Sequence, residues 1–91
     1  MTMGTLDGIT VLDLSRLLPG PYASMILADH GARVIQIEGV EAMGGDIVST
    51  PLPTLYRNKQ HMRLDLKKTE GQHIFYQLAE KADVILEGFR P

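Results

Sequence analysis

The chain has 91 residues, the size of one small domain or of a piece of a larger protein. Hydrophobic residues make up 44% and charged residues 22%, and 9 Lys and Arg against 11 Asp and Glu give a net charge of −2. This balance excludes a disordered chain, which needs low hydrophobicity with high net charge, and a non-specific nucleic-acid binder, which needs a basic surface.

The first element is Ile9 to Leu14, a short, partly β-branched apolar run after the turn-like Leu6-Asp7-Gly8. It predicts a buried strand. Ser15 to Pro21 follows, and two prolines around Gly20 cannot continue a strand, whereas proline suits a first helical position. Tyr22 to His30 has the helical rhythm of Tyr22, Met25, Ile26 and Leu27, and Gly31 stands where a left-handed cap belongs. Val34 to Ile37 is the second buried strand, ending at Glu38, which completes a right-handed βαβ unit. Gly39 to Thr54 is rich in Gly and Pro without a clean period and reads as a loop or an ordered excursion. Met62, Leu64 and Leu66 alternate with Arg63 and Asp65, predicting a third strand exposed on one face. Thr69 with Gln72 forms a capping-box pattern ahead of Ile74, Phe75, Leu78 and Ala82 at helical spacing. Asp83 to Glu87 is a fourth strand. The fold class is therefore α/β, a Rossmann-like parallel sheet in the order β-α-β-loop-β-α-β. Gly88 to Pro91 comes directly after a buried strand, at the sheet edge where such folds bind ligands, so residues 1–91 are expected to be the N-terminal part of a longer chain.

The chain contains no Cys, which removes disulfides, thiolate zinc sites and thiol catalysis and makes the cytoplasm the expected compartment. Met1 to Gly8 has no basic region leading into an apolar one, as a secretory leader would. The apolar runs fall far short of the ~20 residues that span a bilayer, so no membrane partner is expected. The segments Ser15–Pro21, Glu38–Gly45 and Glu87–Pro91 converge at the carboxyl ends of the strands, and the first leads into a helix N-terminus suited to an anion. Its sequence is neither a GxGxxG fingerprint nor a P-loop. Arg57, Asn58, Lys59, Arg63, Lys67 and Lys68 form the one basic concentration, which reads as a phosphate site or as a solvated face. Phe89 and Arg90 offer a stacking surface and a cation. His30, His61 and His73 show no spacing for a metal or a base, and no metal site is expected. Asp13 and Asp65 read as caps of neighbouring turns.

Taken together, Leu6-Asp7-Gly8-Ile9-Thr10-Val11-Leu12-Asp13-Leu14, Gly20-Pro21-Tyr22-Ala23 and Leu27-Ala28-Asp29-His30-Gly31-Ala32-Arg33-Val34-Ile35 resemble the opening of the class III CoA-transferases. That family also includes carnitine CoA-transferases and α-methylacyl-CoA racemases. Arg57-Asn58-Lys59, Leu64-Asp65-Leu66-Lys67, Glu70-Gly71, Lys81-Ala82-Asp83-Val84 and Glu87-Gly88-Phe89-Arg90-Pro91 match the following blocks in order. The resemblance implies an enzyme that moves coenzyme A between an acyl-CoA and a carboxylic acid, with CoA and acyl-CoA as substrates and no tightly bound cofactor. It implies that CoA lies along Leu17, Leu18 and Pro19, along Leu64 and Lys67, and along Glu87, Gly88, Phe89 and Arg90. It further implies an interlocked homodimer and a nucleophilic aspartate beyond residue 91, so that residues 1–91 alone are inactive. Two departures stand out: Gln36 where many relatives carry a base, and Gly39 where some carry an arginine for the nucleotide. Glu87-Gly88-Phe89-Arg90-Pro91 leans toward the racemases, which exchange the proton alpha to the thioester. A third reading is a truncated, non-catalytic CoA-binding remnant.

Overall fold

The computed structural model describes residues 4–16, 19–39 and 53–88. Strands β1 (Thr10–Asp13), β2 (Arg33–Glu38), β3 (Lys59–Arg63) and β4 (Val84–Leu86) form one parallel sheet in the order β3-β2-β1-β4. Helix α1 (Pro19–Asp29) joins β1 to β2, a 3-10 turn (Pro53–Tyr56) precedes β3, and helix α2 (Thr69–Lys81) carries the chain from one sheet edge to the other. The chain thus steps outward from β1 to β3 and then returns to the far side of β1. This reversal makes the carboxyl ends of β1 and β4 a topological switch point, where open α/β sheets bind ligands.

The two helices cover opposite faces of the sheet. Val11 and Val34 pack against Ala28 and Ala32 below α1, while Leu12, Leu14, Ile35, Ile37 and Leu64 form the core below α2. Strands covered on both faces read as continuous apolar runs, which is why β1 and β2 stand out in the sequence. Helix α1 begins at Pro19, three residues before the periodic stretch, because proline at the first turn costs no hydrogen bond. It ends in a Schellman motif: Gly31 N–H donates to Ala28 O at 3.0 Å and Ala32 N–H to Leu27 O at 3.1 Å. Gly31 itself sits at φ 106°, a conformation costly for a residue with a Cβ.

Four expectations need correction. The fourth strand is not buried: β4 lies at the sheet edge, and its Val84 and Ile85 are exposed. The third strand runs over Lys59–Arg63, not Met62–Leu66. Its ladder to β2 pairs Val34 with Lys59 and Glu38 with Arg63. Met62, paired with Ile37 in the ladder, and Leu64 and Leu66 beyond the strand's end all feed the core below α2, so their alternation marks packing that runs on past the ladder. Asp65 accordingly lies in the turn after β3, where its carboxylate accepts the Lys67 N–H at 3.1 Å. The capping box does not form: Lys68 is the cap, Thr69 is the first helical residue, and Gln72 Nε2 donates to Leu66 O at 2.9 Å. On α2, Phe75, Leu78, Ala79 and Ala82 pack inward, whereas Ile74 is turned to solvent.

Candidate functional site at the carboxyl edge

A cleft of about 140 Å³ opens at the carboxyl ends of β1 and β2, lined by Leu14, Arg16, Ile37, Glu38, Gly39, Leu64, Leu66 and Lys67. Leu14, Ile37 and Leu64 belong to the core below α2, so the cleft has an apolar floor continuous with the interior. Arg16 and Lys67, both exposed, are the two cationic residues of its lining. An apolar floor with cations in the lining suits a molecule that joins a flat or aliphatic part to phosphates. The volume is below the roughly 300–1,000 Å³ of complete ligand pockets and has room for only one part of such a molecule.

Of the residues expected to line a ligand, Leu64 and Lys67 meet in this cleft. Gly39, singled out as a departure, lines it too. Pro19 opens α1 and is exposed. Pro19 and Pro21 bring no N–H, so Gly20 and Tyr22 carry the N–H groups of this first turn, which holds no acidic side chain. Glu87 and Gly88 follow β4 directly and are exposed. A methyl group on Gly88 would rest in ordinary contact with the Ser15 Cβ, which places Gly88 beside the end of β1 at the switch point rather than in the cleft. Leu17, Leu18, Phe89 and Arg90 lie outside the described residues. Arg16 was not singled out from sequence. Its signal was available in its position, two residues past a buried strand at the edge where ligands bind.

The basic concentration is not a single phosphate site. Arg57 Nη2 binds Asp29 Oδ2 at 2.7 Å and Asn58 Nδ2 binds Asp29 Oδ1 at 2.8 Å, closing the end of α1 onto the turn before β3. These hydrogen bonds, that of Arg57 foremost, hold the Asp29 carboxyl below its ordinary range. Arg63 Nε lies 3.9 Å from Glu38 Oε1, and His61 Nδ1 lies 3.0 Å from Glu38 Oε2. Lys67 alone of the cluster lines the cleft.

Lys59 goes to the interior. Below α1 the sheet face turns polar toward its carboxyl end, with Asp13, Gln36 and Glu38 all buried. The Lys59 and Asp13 side chains are both inaccessible to solvent, and their charged atoms are 3.7 Å apart. Lys59 Nζ also donates to Pro21 O at 3.2 Å and Gln36 Oε1 at 3.3 Å, and sits 5.1 Å from the Tyr56 ring centroid. Asp13 Oδ1 accepts the Ser15 N–H at 2.7 Å and the Ser15 hydroxyl, and Oδ2 accepts the Ser24 hydroxyl. Asp13 thus caps its neighbouring turn, as expected, and anchors α1 as well. Burial pushes the Lys59 ammonium below its ordinary range, an effect that the Asp13 carboxylate opposes. Among the described residues, no three His, Cys, Asp or Glu side chains gather to hold a metal ion. No helix among them is long and apolar enough to cross a membrane.

A parallel four-stranded sheet of this strand order, flanked by two helices and with a cleft at its carboxyl edge, defines an α/β fold. The model of CoA-transferase family III matches residues 6–91, and the chain belongs to that family. It is 38% identical to a succinyl-CoA:mesaconate CoA-transferase of Haloarcula hispanica, over 97% of this chain and 25% of that protein. It is 39% identical to the α-methylacyl-CoA racemase of Homo sapiens, over 93% of this chain and 21% of that protein. The crystal structure of a hypothetical protein from Mycobacterium tuberculosis superposes with a TM-score of 0.85 at 36% identity, over 99% of this chain and 26% of that one. The chain therefore spans about a quarter of the length of the curated relatives it matches.

Proposed function

We propose that the intact protein transfers coenzyme A between an acyl-CoA and a carboxylic acid, and that residues 1–91 furnish part of its CoA site. The observation that carries this reading is the carboxyl-edge cleft where Leu64 and Lys67 meet Arg16, in a chain matched by the family model almost from end to end. The apolar floor takes the adenine or pantetheine portion, and Arg16 and Lys67 take phosphates. Phosphate contacts made by exposed cations weaken with salt, because charges farther apart than about 8–10 Å are screened at physiological ionic strength. Pro19, Glu87 and Gly88 border the adjoining switch point, and the proposed site also includes Leu17, Leu18, Phe89 and Arg90, which lie outside the described residues. The nucleophilic aspartate is proposed to lie outside residues 1–91, within an interlocked homodimer. The chain's own contribution is then to bind and orient the thioester, which favours the chemical step by fixing geometry rather than by donating a reacting group.

A second reading, acyl-CoA racemisation, is supported by the identity to the human racemase and by Glu87-Gly88 after β4. One experiment separates the two. The intact protein is incubated in deuterium oxide with an acyl-CoA and a panel of carboxylates, and the thioesters are followed by mass spectrometry. Appearance of the acceptor's CoA thioester supports transfer. Deuterium at the alpha carbon without a new thioester supports racemisation and overturns transfer. Neither product, with CoA still bound, overturns both and leaves the non-catalytic CoA-binding remnant; no CoA binding overturns all three.

A further inference from the structure

We propose that Gln36 is a positioning residue for the CoA cleft, acting through the backbone of Ser15. This role rests on the cleft being the CoA site. After Asp13 the chain leaves the sheet: Leu14 N–H still bonds Leu86 O at 2.9 Å, and Ser15 has no strand partner. Both backbone polar groups of Ser15 are instead held by side chains. Its N–H donates to Asp13 Oδ1 at 2.7 Å, and its carbonyl accepts from Gln36 Nε2 at 2.9 Å. Gln36 Nε2 also reaches Asp13 O at 3.3 Å. The residues on either side of Ser15, Leu14 and Arg16, are both walls of the cleft. The clamp lies on the α1 face of the sheet, so the core below α2 fixes the cleft floor while the polar side fixes the turn that presents Arg16.

The orientation of the amide is set by Lys59. An ammonium only donates, so the atom facing Lys59 Nζ at 3.3 Å is the amide oxygen. Backbone carbonyls only accept, so the nitrogen must face Asp13 and Ser15. All three partners agree on one orientation, and the alternative would bury three mismatched contacts. Gln36 is almost fully buried, 2% exposed, so solvent cannot supply a substitute donor to the Ser15 carbonyl. A charged side chain at this position would reach the same carbonyl only by placing a second cation beside Lys59.

The test uses the intact protein and the variants Gln36→Met and Gln36→Glu, with free CoA affinity measured by calorimetry alongside KM, kcat and Tm. Met keeps the volume and removes all three hydrogen bonds. Glu keeps an acceptor toward Lys59 and removes both donated bonds. Both variants are expected to weaken CoA and raise the KM for the acyl-CoA by roughly tenfold, with kcat within about twofold of the parent. Gln36→Glu is expected to do so even if its Tm equals the parent's, which a purely structural role would not produce. Should Gln36→Met not fold, Gln36→Glu carries the result alone. Parental CoA affinity and KM in Gln36→Glu overturn the positioning role, whatever happens to Tm. A parent protein that binds no CoA overturns the proposed function itself, and the positioning role with it.

Discussion

Replacement of Lys59 by Met tests the interior of this fold most directly. The ammonium is shielded from solvent, lies 3.7 Å from Asp13, and donates to Pro21 O and Gln36 Oε1. Removing one partner of a buried ion pair costs about 3–5 kcal/mol, because the other charge stays buried. Here the Asp13 carboxylate keeps three donors, the Ser15 N–H and the Ser15 and Ser24 hydroxyls, and Met refills the apolar length of the stem. The loss is therefore expected at the low end, about 3 kcal/mol. Adding Asp13→Asn to Lys59→Met removes the orphaned charge and should restore about 1–2 kcal/mol, a positive coupling that a mutant cycle reads directly. Urea unfolding of the intact protein followed by circular dichroism supplies the midpoints. The pH dependence has a definite sign. Burial lowers the folded-state Lys59 below its ordinary value of 10.5, so the unfolded chain binds more protons between the two values. Parental stability should gain as pH rises through that window relative to Lys59→Met, and this gain should vanish as pH falls below the folded value. A Lys59→Met protein within about 0.5 kcal/mol of the parent, or one without coupling to Asp13, would refute the buried-pair account.

Three further outcomes are expected. Lys67→Ala should raise the KM for the acyl-CoA several-fold with little change in kcat, and should flatten the dependence of KM on salt; an unchanged salt dependence removes Lys67 from phosphate binding. Gly71→Ala should destabilise by about 1–2 kcal/mol, because the new methyl meets the Asp65 carbonyl, backbone that cannot yield. The helix preference for Ala offsets only ~1 kcal/mol of that, and a more stable variant would contradict the close approach of α2 to the turn. Asp29→Asn should matter at neutral pH and cease to matter in acid. The Asp29 carboxyl is held below its ordinary 3.8 by Arg57, so its contribution is present above that value and lost as pH falls through the folded one. Urea midpoints of parent and variant that converge at neutral pH instead would count against the Asp29–Arg57 clamp.

Elements whose signal is apolar burial were legible in the sequence. Val11, Leu12, Val34 and Ile35 are covered on both faces and read as strands, and Gly31 marked the end of α1. β3 was misplaced because it is an edge strand whose first ladder residues Lys59, Gln60 and His61 are polar, while the apolar alternation starts only at Met62 and continues into the segment that leaves the sheet. The basic cluster misled for a related reason. Charge was visible, but its partners Asp29, Asp13 and Glu38 stand far away in sequence and come near only through the parallel register. Within the cleft, Leu64 and Lys67 were legible through the family motif. The role of Gln36 was not, since a buried amide in a strand leaves no periodic trace, and only its hydrogen bonds reveal what it holds.

Of the four strands described, the interior strand β1 is made first. In a hairpin-built sheet each new strand finds its neighbour at once. Here the first flank of β1, β2, comes after α1, and its second flank, β4, arrives only after α1, β2, β3 and α2 have been made. The Leu14–Leu86 bond that joins the two closes a loop of most of the chain. Non-local pairings of this kind form slowly, since ring closure must precede any gain from contact. A nascent chain must therefore keep Val11 and Leu12 shielded in the meantime, and α1 together with β2, the next segments to appear, are the natural temporary cover. Slowing translation after β2 should favour the native pairing, whereas a permuted gene that begins at β2 would change the order in which the sheet closes.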